Sequence, residues 1–208
     1  MRITHFGHAC VLLDTGAARL LIDPGSFSSG FEEVAGLDAV LVTHQHADHL
    51  DHERLHHLRR GNPDARLIVD RDTAAQLDGV EHEVVLPGAS VQVGGSRVDV
   101  LGGEHAEILP EIPLIANNAY LVDGTHLHPG DSFTPPPAPV DVLFVPTGAP
   151  WLKASEAVAY LQRVAPRTAV PIHEAVLAVP QLHYGLFERF SAEETQVRVL
   201  DRGEPVDL

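Results

Sequence analysis

Short apolar runs closed by turn residues recur along the chain and predict β-strands. Residues 19–22 and 39–42 are examples, and each run is too short to be a helix. The turn signals Asp14-Thr15-Gly16 and Asp123-Gly124 each separate two such runs, as in a β-hairpin. The chain is therefore predicted to be rich in strands with tight connections.

Helical periodicity is clearest at residues 153–165, where apolar side chains recur on one face: Ala154, Ala157, Val158, Leu161 and Val164. Residues 51–58 and 181–190 are weaker helical segments. In each half of the chain the strands come first and a helix follows. This order predicts an α/β fold, a four-layer αββα sandwich in which two mixed sheets face each other with helices outside.

The composition limits the partners of the chain. Its 208 residues carry a formal net charge of -15 and include only 14 Lys and Arg. Because affinity for nucleic acid comes largely from basic side chains, we expect no nucleic-acid partner. No apolar stretch approaches the ~20 residues that span a bilayer, and the first residues do not resemble a signal peptide. We therefore expect a cytoplasmic protein with no membrane partner.

The single cysteine, Cys10, excludes an internal disulfide and fits a reducing compartment. Its apolar neighbours predict a buried strand thiol. The alternative is a catalytic cysteine with His8 as its base.

Four potential metal ligands follow the predicted strand at residues 39–42. They are His44, His46, Asp48 and His49. Imidazole nitrogens and carboxylate oxygens at the end of a strand can converge on zinc, manganese or iron. The alternative is a histidine-rich solvated turn.

Three later residues also stand just after predicted strands, namely His105, Asp131 and His173. Strand ends at one edge of a sheet pair are a rigid place for distant side chains to meet. The competitors of His105 are His82, His126 and His128, and Asp131 is alternatively a turn residue. Because candidate ligands lie on both sides of the proline-rich run 134–139, we read that run as a rigid loop inside one domain, residues 1–208.

The segment Thr43-His44-Gln45-His46-Ala47-Asp48-His49 resembles the His-x-His-x-Asp-His signature of the metallo-β-lactamase superfamily. The later His105, Gly130-Asp131 and His173 resemble its remaining ligand motifs in the expected order. The segments Phe6-Gly7-His8-Ala9 and Leu21-Ile22-Asp23-Pro24 resemble more particularly the stand-alone metal-dependent hydrolase branch that includes the L-ascorbate-6-phosphate lactonase-like proteins.

The resemblance implies two divalent metal ions, zinc first and manganese or iron as alternatives. It assigns one metal to His44, His46 and His105, the other to Asp48, His49 and His173, and a bridging position to Asp131. A hydroxide shared by the metals would be the nucleophile. Asp48 and Asp131 are thus the candidate catalytic carboxylates, with proton transfer to the leaving group a secondary role for Asp48.

Other residues are expected to support this centre. His8, Asp23 and His128 are candidates for orienting the ligands, since ligating histidines commonly donate their second N–H to another group. The alternatives for them are structural roles. Residues 108–118, which include Asn118, and Trp151, the only tryptophan, are candidates for the wall of the substrate pocket, and a structural role is the alternative for Trp151.

The predicted function is a dinuclear metal-dependent hydrolase of a small, anionic molecule: a lactone, ester, amide or phosphodiester. The alternative is a non-catalytic metal-binding or sensing protein with the same ligands. The oligomeric state is left open, a homo-oligomer included.

Overall fold

The structure, a computed structural model, describes residues 1–208 and contains fourteen strands and four helices. The strands are β1 (Arg2–His5), β2 (Val11–Asp14), β3 (Arg19–Ile22), β4 (Ala39–Leu41), β5 (Arg66–Val69), β6 (Glu83–Val84), β7 (Ser90–Val93), β8 (Ser96–Glu104), β9 (Ala116–Val122), β10 (His126–His128), β11 (Val142–Pro146), β12 (Thr168–Ile172), β13 (Gln196–Val197) and β14 (Pro205–Asp207). The helices are α1 (His52–Gly61), α2 (Arg71–Ala74), α3 (Ala154–Val164) and α4 (Gln181–Phe190).

The strands form two mixed seven-stranded sheets. The first has the order β14-β1-β2-β3-β4-β5-β6, and the second has the order β13-β12-β11-β10-β9-β8-β7. In the first sheet β3 to β6 are parallel, and in the second β10 to β13 are parallel. The remaining neighbours are antiparallel. Each sheet therefore has a parallel half whose strands end at one common edge.

The apolar side chains divide into three buried layers. The central cluster lies between the sheets and joins residues such as Leu20 of β3 to Phe144 of β11. A second cluster packs Leu55 of α1 against the outer face of the first sheet. A third packs Leu161 of α3 and Phe187 of α4 against the outer face of the second sheet. The predicted four-layer αββα sandwich is confirmed.

Two hydrogen bonds join the sheets close to the edge where the ligands are predicted. The Tyr120 hydroxyl donates to the Val42 carbonyl at 2.8 Å. The Asn118 N–H donates to the Thr43 carbonyl, also at 2.8 Å. Because a buried backbone group without a partner is costly, these bonds hold the end of β4 against β9.

Local predictions and the structure differ mainly where pairing is non-local. The hairpin at Asp123-Gly124 is confirmed by the pairing of β9 with β10. The pairing of β1 with β14 was not predicted, since it joins segments from opposite ends of the chain. Helix α2 spans only four residues, from Arg71 to Ala74. None of the helices has the length and apolar character needed to cross a membrane.

Candidate metal centre

The structure brings all seven predicted ligands together at the edge where the parallel strands end. His44, His46, Asp48 and His49 follow β4, and His105, Asp131 and His173 follow β8, β10 and β12. Their potential ligand atoms form three overlapping groups, in each of which the atoms lie within 4.8 Å of one another. The groups are His44, His46 and His105; Asp48, His49 and His173 together with His8; and His44, His49 and Asp131. The first two groups contain the two proposed ligand sets, with His8 added to one of them, and the third joins Asp131 to one histidine from each.

Asp131 lies at the centre of the cluster. Its Oδ1 is 3.1 Å from His49 Nε2 and 3.1 Å from His173 Nε2. Its Oδ2 is 3.4 Å from His105 Nε2. The carboxylate therefore faces histidines of both groups, which is the position required of a bridging ligand.

Asp23 fixes the orientation of His49. The Asp23 carboxylate is fully buried and accepts from the Thr43 N–H at 2.8 Å and from the Thr43 hydroxyl at 2.7 Å. It lies 2.7 Å from His49 Nδ1. Since an ionised carboxylate only accepts, the partners assign the His49 proton to Nδ1 and leave a lone pair on Nε2.

Backbone carbonyl groups fix the position of the ring proton in two further histidines. His173 Nδ1–H donates to the Gly148 carbonyl at 2.6 Å, and His105 Nδ1–H donates to the Ala106 carbonyl at 2.6 Å. His44 Nδ1 lies 3.1 Å from the Thr43 hydroxyl oxygen, which accepts because its own hydrogen is donated to a carboxylate. The inward nitrogens of all these rings are therefore acceptors.

These inward acceptors have too few donors around them. His49 Nε2 and His173 Nε2 face each other at 3.2 Å, and His44 Nε2 faces His46 Nδ1 at 3.1 Å. His105 Nε2 and Asp131 Oδ1 are buried without a hydrogen-bond partner. Converging lone pairs are unfavourable unless a proton or a cation lies between them. The donor set therefore fits divalent metal ions, which this structure does not contain.

The ionisation of the cluster follows from burial and charge. Burial lowers the pKa of His44 well below its ordinary value, with a further contribution from His49. Burial raises the pKa of Asp131, but His173 and His49 outweigh it and hold this pKa well below its ordinary range. Burial likewise lowers the pKa of His49, yet Asp131 and Asp23 raise it well above the ordinary value. A proton on His49 Nε2 thus competes with a metal for the same lone pair.

Trp151 and Asn117 hold Asp131 in place. The Trp151 indole N–H donates to Asp131 Oδ2 at 2.7 Å. The Asn117 side-chain oxygen accepts from the Asp131 N–H at 3.0 Å, and its amide donates to the Pro129 carbonyl at 2.9 Å. Trp151 was expected to contact the substrate, whereas the structure places its polar atom on the predicted bridging carboxylate. Asn117 was not among the predicted residues.

His8 lies closer to the ligands than a purely structural residue would. Its Nε2 is 3.0 Å from Asp48 Oδ2, and its Nδ1 is buried without a partner. Its backbone has a φ of 52°, and Asp23 and His173 have φ values of 51° and 62°. Left-handed backbone is rare for residues other than glycine and tends to mark functional sites. These three residues belong to this centre, whereas the other two non-glycine residues with positive φ, Asp123 and Ala165, lie in a hairpin turn and at the end of α3.

The strained turn at His8 is held by a carboxylate that sequence reasoning missed. Glu174 accepts from the His8 N–H at 3.1 Å and from Arg202 at 2.8 Å. Glu174 directly follows His173, and that adjacency was the available signal. Arg202 is distant in sequence, so no local pattern pointed to it.

Two predicted supporting residues lie away from the ligand atoms. His128 is buried, its Nε2 lies 2.9 Å from the Ala9 carbonyl, and its Nδ1 accepts from the Gly130 N–H at 3.3 Å. It therefore contacts the loop that carries Asp131 rather than a ligand side chain. Asn118 is also buried and donates to the Val85 carbonyl at 3.1 Å, so its position gives no support to a contact with substrate.

The position of Cys10 argues against a catalytic thiol. Cys10 is fully buried, and burial raises the pKa of its thiol well above the ordinary value. A nucleophilic cysteine requires the opposite shift and access to substrate.

Comparison with known proteins places the chain in a family. The profile of the beta-lactamase superfamily domain matches residues 2–173. The chain belongs to the metallo-β-lactamase superfamily. Membership agrees with the αββα sandwich and confirms the family predicted from the ligand motifs. The more particular resemblance to the ascorbate-phosphate lactonase branch stays a prediction.

Relatives in this superfamily include proteins of similar length. Protein Rv0786c of Mycobacterium tuberculosis is 48% identical over 204 residues, which are 95% of this chain and 96% of that protein. A UPF0173 metal-dependent hydrolase of Opitutus terrae is 27% identical over 237 residues and covers 100% of both chains. Igni18, described as a novel metallo hydrolase from the archaeon Ignicoccus hospitalis, has a TM-score of 0.76 at 20% identity and covers 99% of this chain and 97% of that chain.

Proposed function

We propose that the protein is a dinuclear metal-dependent hydrolase of a small molecule. The observation that carries the proposal is the set of imidazole nitrogens held as acceptors around Asp131, with His49 and His173 facing each other at 3.2 Å. The relative that is named a metal-dependent hydrolase supports the reaction class. A lactone, ester, amide or phosphodiester is the bond expected to be cleaved.

The loop after β4 contributes ligands to both proposed sites. His44 and His46 join His105 for one ion, Asp48 and His49 join His173 for the other, and Asp131 serves both. A set rich in imidazole suits zinc first, with manganese or iron as alternatives. When bound, two such ions supply Lewis acidity towards a carbonyl or phosphoryl oxygen and lower the pKa of a bound water.

The two candidate catalytic carboxylates differ in their access to solvent. The Asp131 side chain is 5% exposed, its carboxylate accepts from the Trp151 indole N–H, and its backbone N–H donates to Asn117, so both its carboxylate and its backbone are held in place. The Asp48 side chain is 22% exposed, and its Oδ2 lies beside His8 Nε2. We assign Asp131 to both ions and Asp48 to one of them. Proton transfer to the leaving group stays a secondary role for Asp48, because burial raises its pKa but His8 and His49 outweigh that effect and hold the pKa below its ordinary value.

Elemental analysis followed by turnover assays tests this proposal. Protein purified without added metal is expected to contain about two transition-metal ions per chain, as a two-metal site requires. Hydrolysis across a panel of lactones, esters and phosphodiesters should disappear with a chelator and return with metal. His46→Ala and Asp131→Ala should abolish turnover, whereas His56→Ala, at an exposed histidine of α1, should not.

The same experiment separates the enzyme from the alternative function. Full metal content with no turnover across the panel would favour a metal-binding or sensing protein. Fewer than about one ion per chain would contradict both functions, because each needs an occupied site.

A further inference from the structure

A pocket opens directly beside the candidate metal centre and has a volume of about 360 Å³. On one side it is lined by His46, His105 and Gln45, which lies between two predicted ligands. The opposite side is formed by the segment after β8, residues 106–115, which we call the isoleucine segment. Ile108, Ile112 and Ile115 of this segment line the pocket.

The isoleucine segment leaves apolar surface in contact with water. Ile112 is 45% exposed, while Ile108 and Ile115 are half-buried. Exposed apolar side chains that cluster around a pocket mark a binding surface more often than scattered ones do. The side of the pocket formed by the isoleucine segment is therefore suited to contact with an apolar group of a ligand.

The charges around this pocket disfavour an anion. No Lys or Arg lines it. The isoleucine segment contains Glu107 and Glu111 and no basic residue. Another pocket of about 360 Å³ is lined by Arg59 and Arg66, but it contains none of the predicted metal ligands. A carboxylate or phosphate on the substrate would thus find no basic side chain beside the isoleucines.

We propose that this pocket binds an uncharged alkyl group on the acyl side of the substrate, with the carbonyl turned towards His46 and His105. This inference rests on the proposed hydrolase function and replaces the expectation of an anionic substrate. The volume is near the lower end for small-molecule sites, so a short or medium alkyl chain fits better than a lipid. The substrate class is therefore an alkyl ester or an alkyl-substituted lactone.

The reaction with such a substrate requires only water. The water oxygen forms a bond to the acyl carbon, and the bond from that carbon to the alcohol oxygen breaks. The alcohol oxygen takes up one proton and the second proton is released, leaving a carboxylate and an alcohol. No oxidant, reductant or further co-reactant enters.

Binding of alkyl hydroxamates to the metal-loaded protein tests the pocket without requiring turnover. Calorimetric titration would compare acetohydroxamate, butyrohydroxamate and hexanohydroxamate with the monohydroxamate of succinate, which carries a carboxylate. We expect affinity to rise by up to about fourfold for each added methylene, because each buried methylene contributes a favourable transfer free energy. The succinate derivative should bind more weakly than butyrohydroxamate.

Three substitutions in the isoleucine segment test which residues contact the alkyl chain. Ile112→Asp should remove most of the dependence on chain length, and the smaller change Ile112→Ala should reduce it. Leu109→Asp adds the same charge at a similarly exposed residue that does not line the pocket, and it should keep the wild-type dependence.

Affinity that is independent of chain length, absence of binding, or tighter binding of the succinate derivative would each overturn the proposal. Failure of the hydrolase proposal is seen separately. Absence of turnover across the panel of lactones, esters and phosphodiesters would contradict the hydrolase function. The hydroxamate series would still decide whether the pocket binds alkyl groups.

Discussion

Single hydrogen bonds decide the chemistry of the metal centre. A histidine ligates only through a nitrogen that carries no proton, so the group opposite its other nitrogen decides whether it can bind. Asp23 accepts from Nδ1–H of His49, and the Gly148 carbonyl accepts from Nδ1–H of His173, so Nε2 is the nitrogen available to a metal in each ring. The site is therefore organised by the residues behind the ligands as much as by the ligands.

Asp23→Asn should weaken metal binding by about 10- to 100-fold. The Thr43 N–H donates to Asp23 Oδ1, whereas the Thr43 hydroxyl and His49 Nδ1 both face Oδ2. In the variant the amide oxygen would accept from the Thr43 N–H, and the NH₂ would take the place of Oδ2 and face His49 Nδ1. That contact favours a proton on the inward nitrogen. Competition with a chromophoric chelator measures the affinity. Asp64→Asn, at an exposed aspartate, should have no effect, and equal affinities for the two variants would contradict the prediction.

The only tryptophan should report on the centre. Because the Trp151 N–H donates to Asp131 at 2.7 Å, metal binding to Asp131 should change the indole environment and its fluorescence. Hydrogen bonds to charged groups contribute about 1.5–3 kcal/mol. Trp151→Phe should thus weaken metal binding by about tenfold or more, as measured by chelator competition. Fluorescence that does not respond to metal would count against this role.

Among the elements, helix α1 matters because it begins directly after the ligand loop. Asp51 caps the helix by accepting from the Arg54 N–H at 3.0 Å, and it pairs with the Arg54 side chain at 2.8 Å. Arg54 also donates to the carbonyls of Gly25 and Ser28. Gly25 lies so close to the ligand loop that a Cβ there would be 1.8 Å from the Asp48 carbonyl. The first turn of the helix therefore holds the loops around Asp48.

Asp51→Ala should lower the free energy of unfolding by about 1 kcal/mol, since the helix loses its cap. Denaturant titration of the metal-free protein measures the change. Glu53→Ala is the matched control, because Glu53 is an exposed acidic residue in the same first turn and makes no cap. Its loss should cost only about 0.3 kcal/mol through the helix dipole. Equal costs would show that the Asp51 cap adds no stability.

At the scale of the whole molecule, Gly130 packs closely against residues of both sheets. Its φ is 60°, and a Cβ there would lie 2.3 Å from Asn117 Oδ1 and 2.8 Å from Thr43 Cβ. Thr43 follows the first sheet's β4, while Asn117 belongs to the second sheet. A side chain at this position would therefore push the halves of the metal centre apart.

Gly130→Ala should cost at least about 2 kcal/mol of unfolding free energy, from left-handed backbone strain and from overpacking. It should also weaken metal binding. Gly124→Ala separates the two causes, since its φ is 68° and a Cβ there would have no heavy atom within 4 Å. That variant should cost about 1 kcal/mol and bind metal normally. Thermal unfolding with and without metal measures the stability of each variant and its stabilisation by metal. Equal values for Gly130→Ala and Gly124→Ala would contradict the prediction.

Local pattern was sufficient for much of the fold and for naming the seven candidate ligands, and the family resemblance supplied their proposed division between two metals. Strand period and turn residues are properties of neighbouring positions, so the hairpin at Asp123-Gly124 and helix α4 could be read directly. The polar residues at strand ends were recognisable for the same reason. The hydrogen bonds by which residues distant in sequence hold the candidate ligands in place could not be predicted. Asn117 and Arg202 act through contacts that exist only after the sheets have packed.

The types and the order of the candidate ligands therefore follow from the sequence alone, because residue chemistry and the ends of strands are properties of neighbouring positions. Tertiary structure decided which nitrogen of each histidine faces inward, and it placed Trp151 on Asp131. It also brought the isoleucine segment against His46 to form an apolar pocket. Proton position and pocket shape depend on groups far apart in sequence, and their mutual distances are set only when the two sheets pack together.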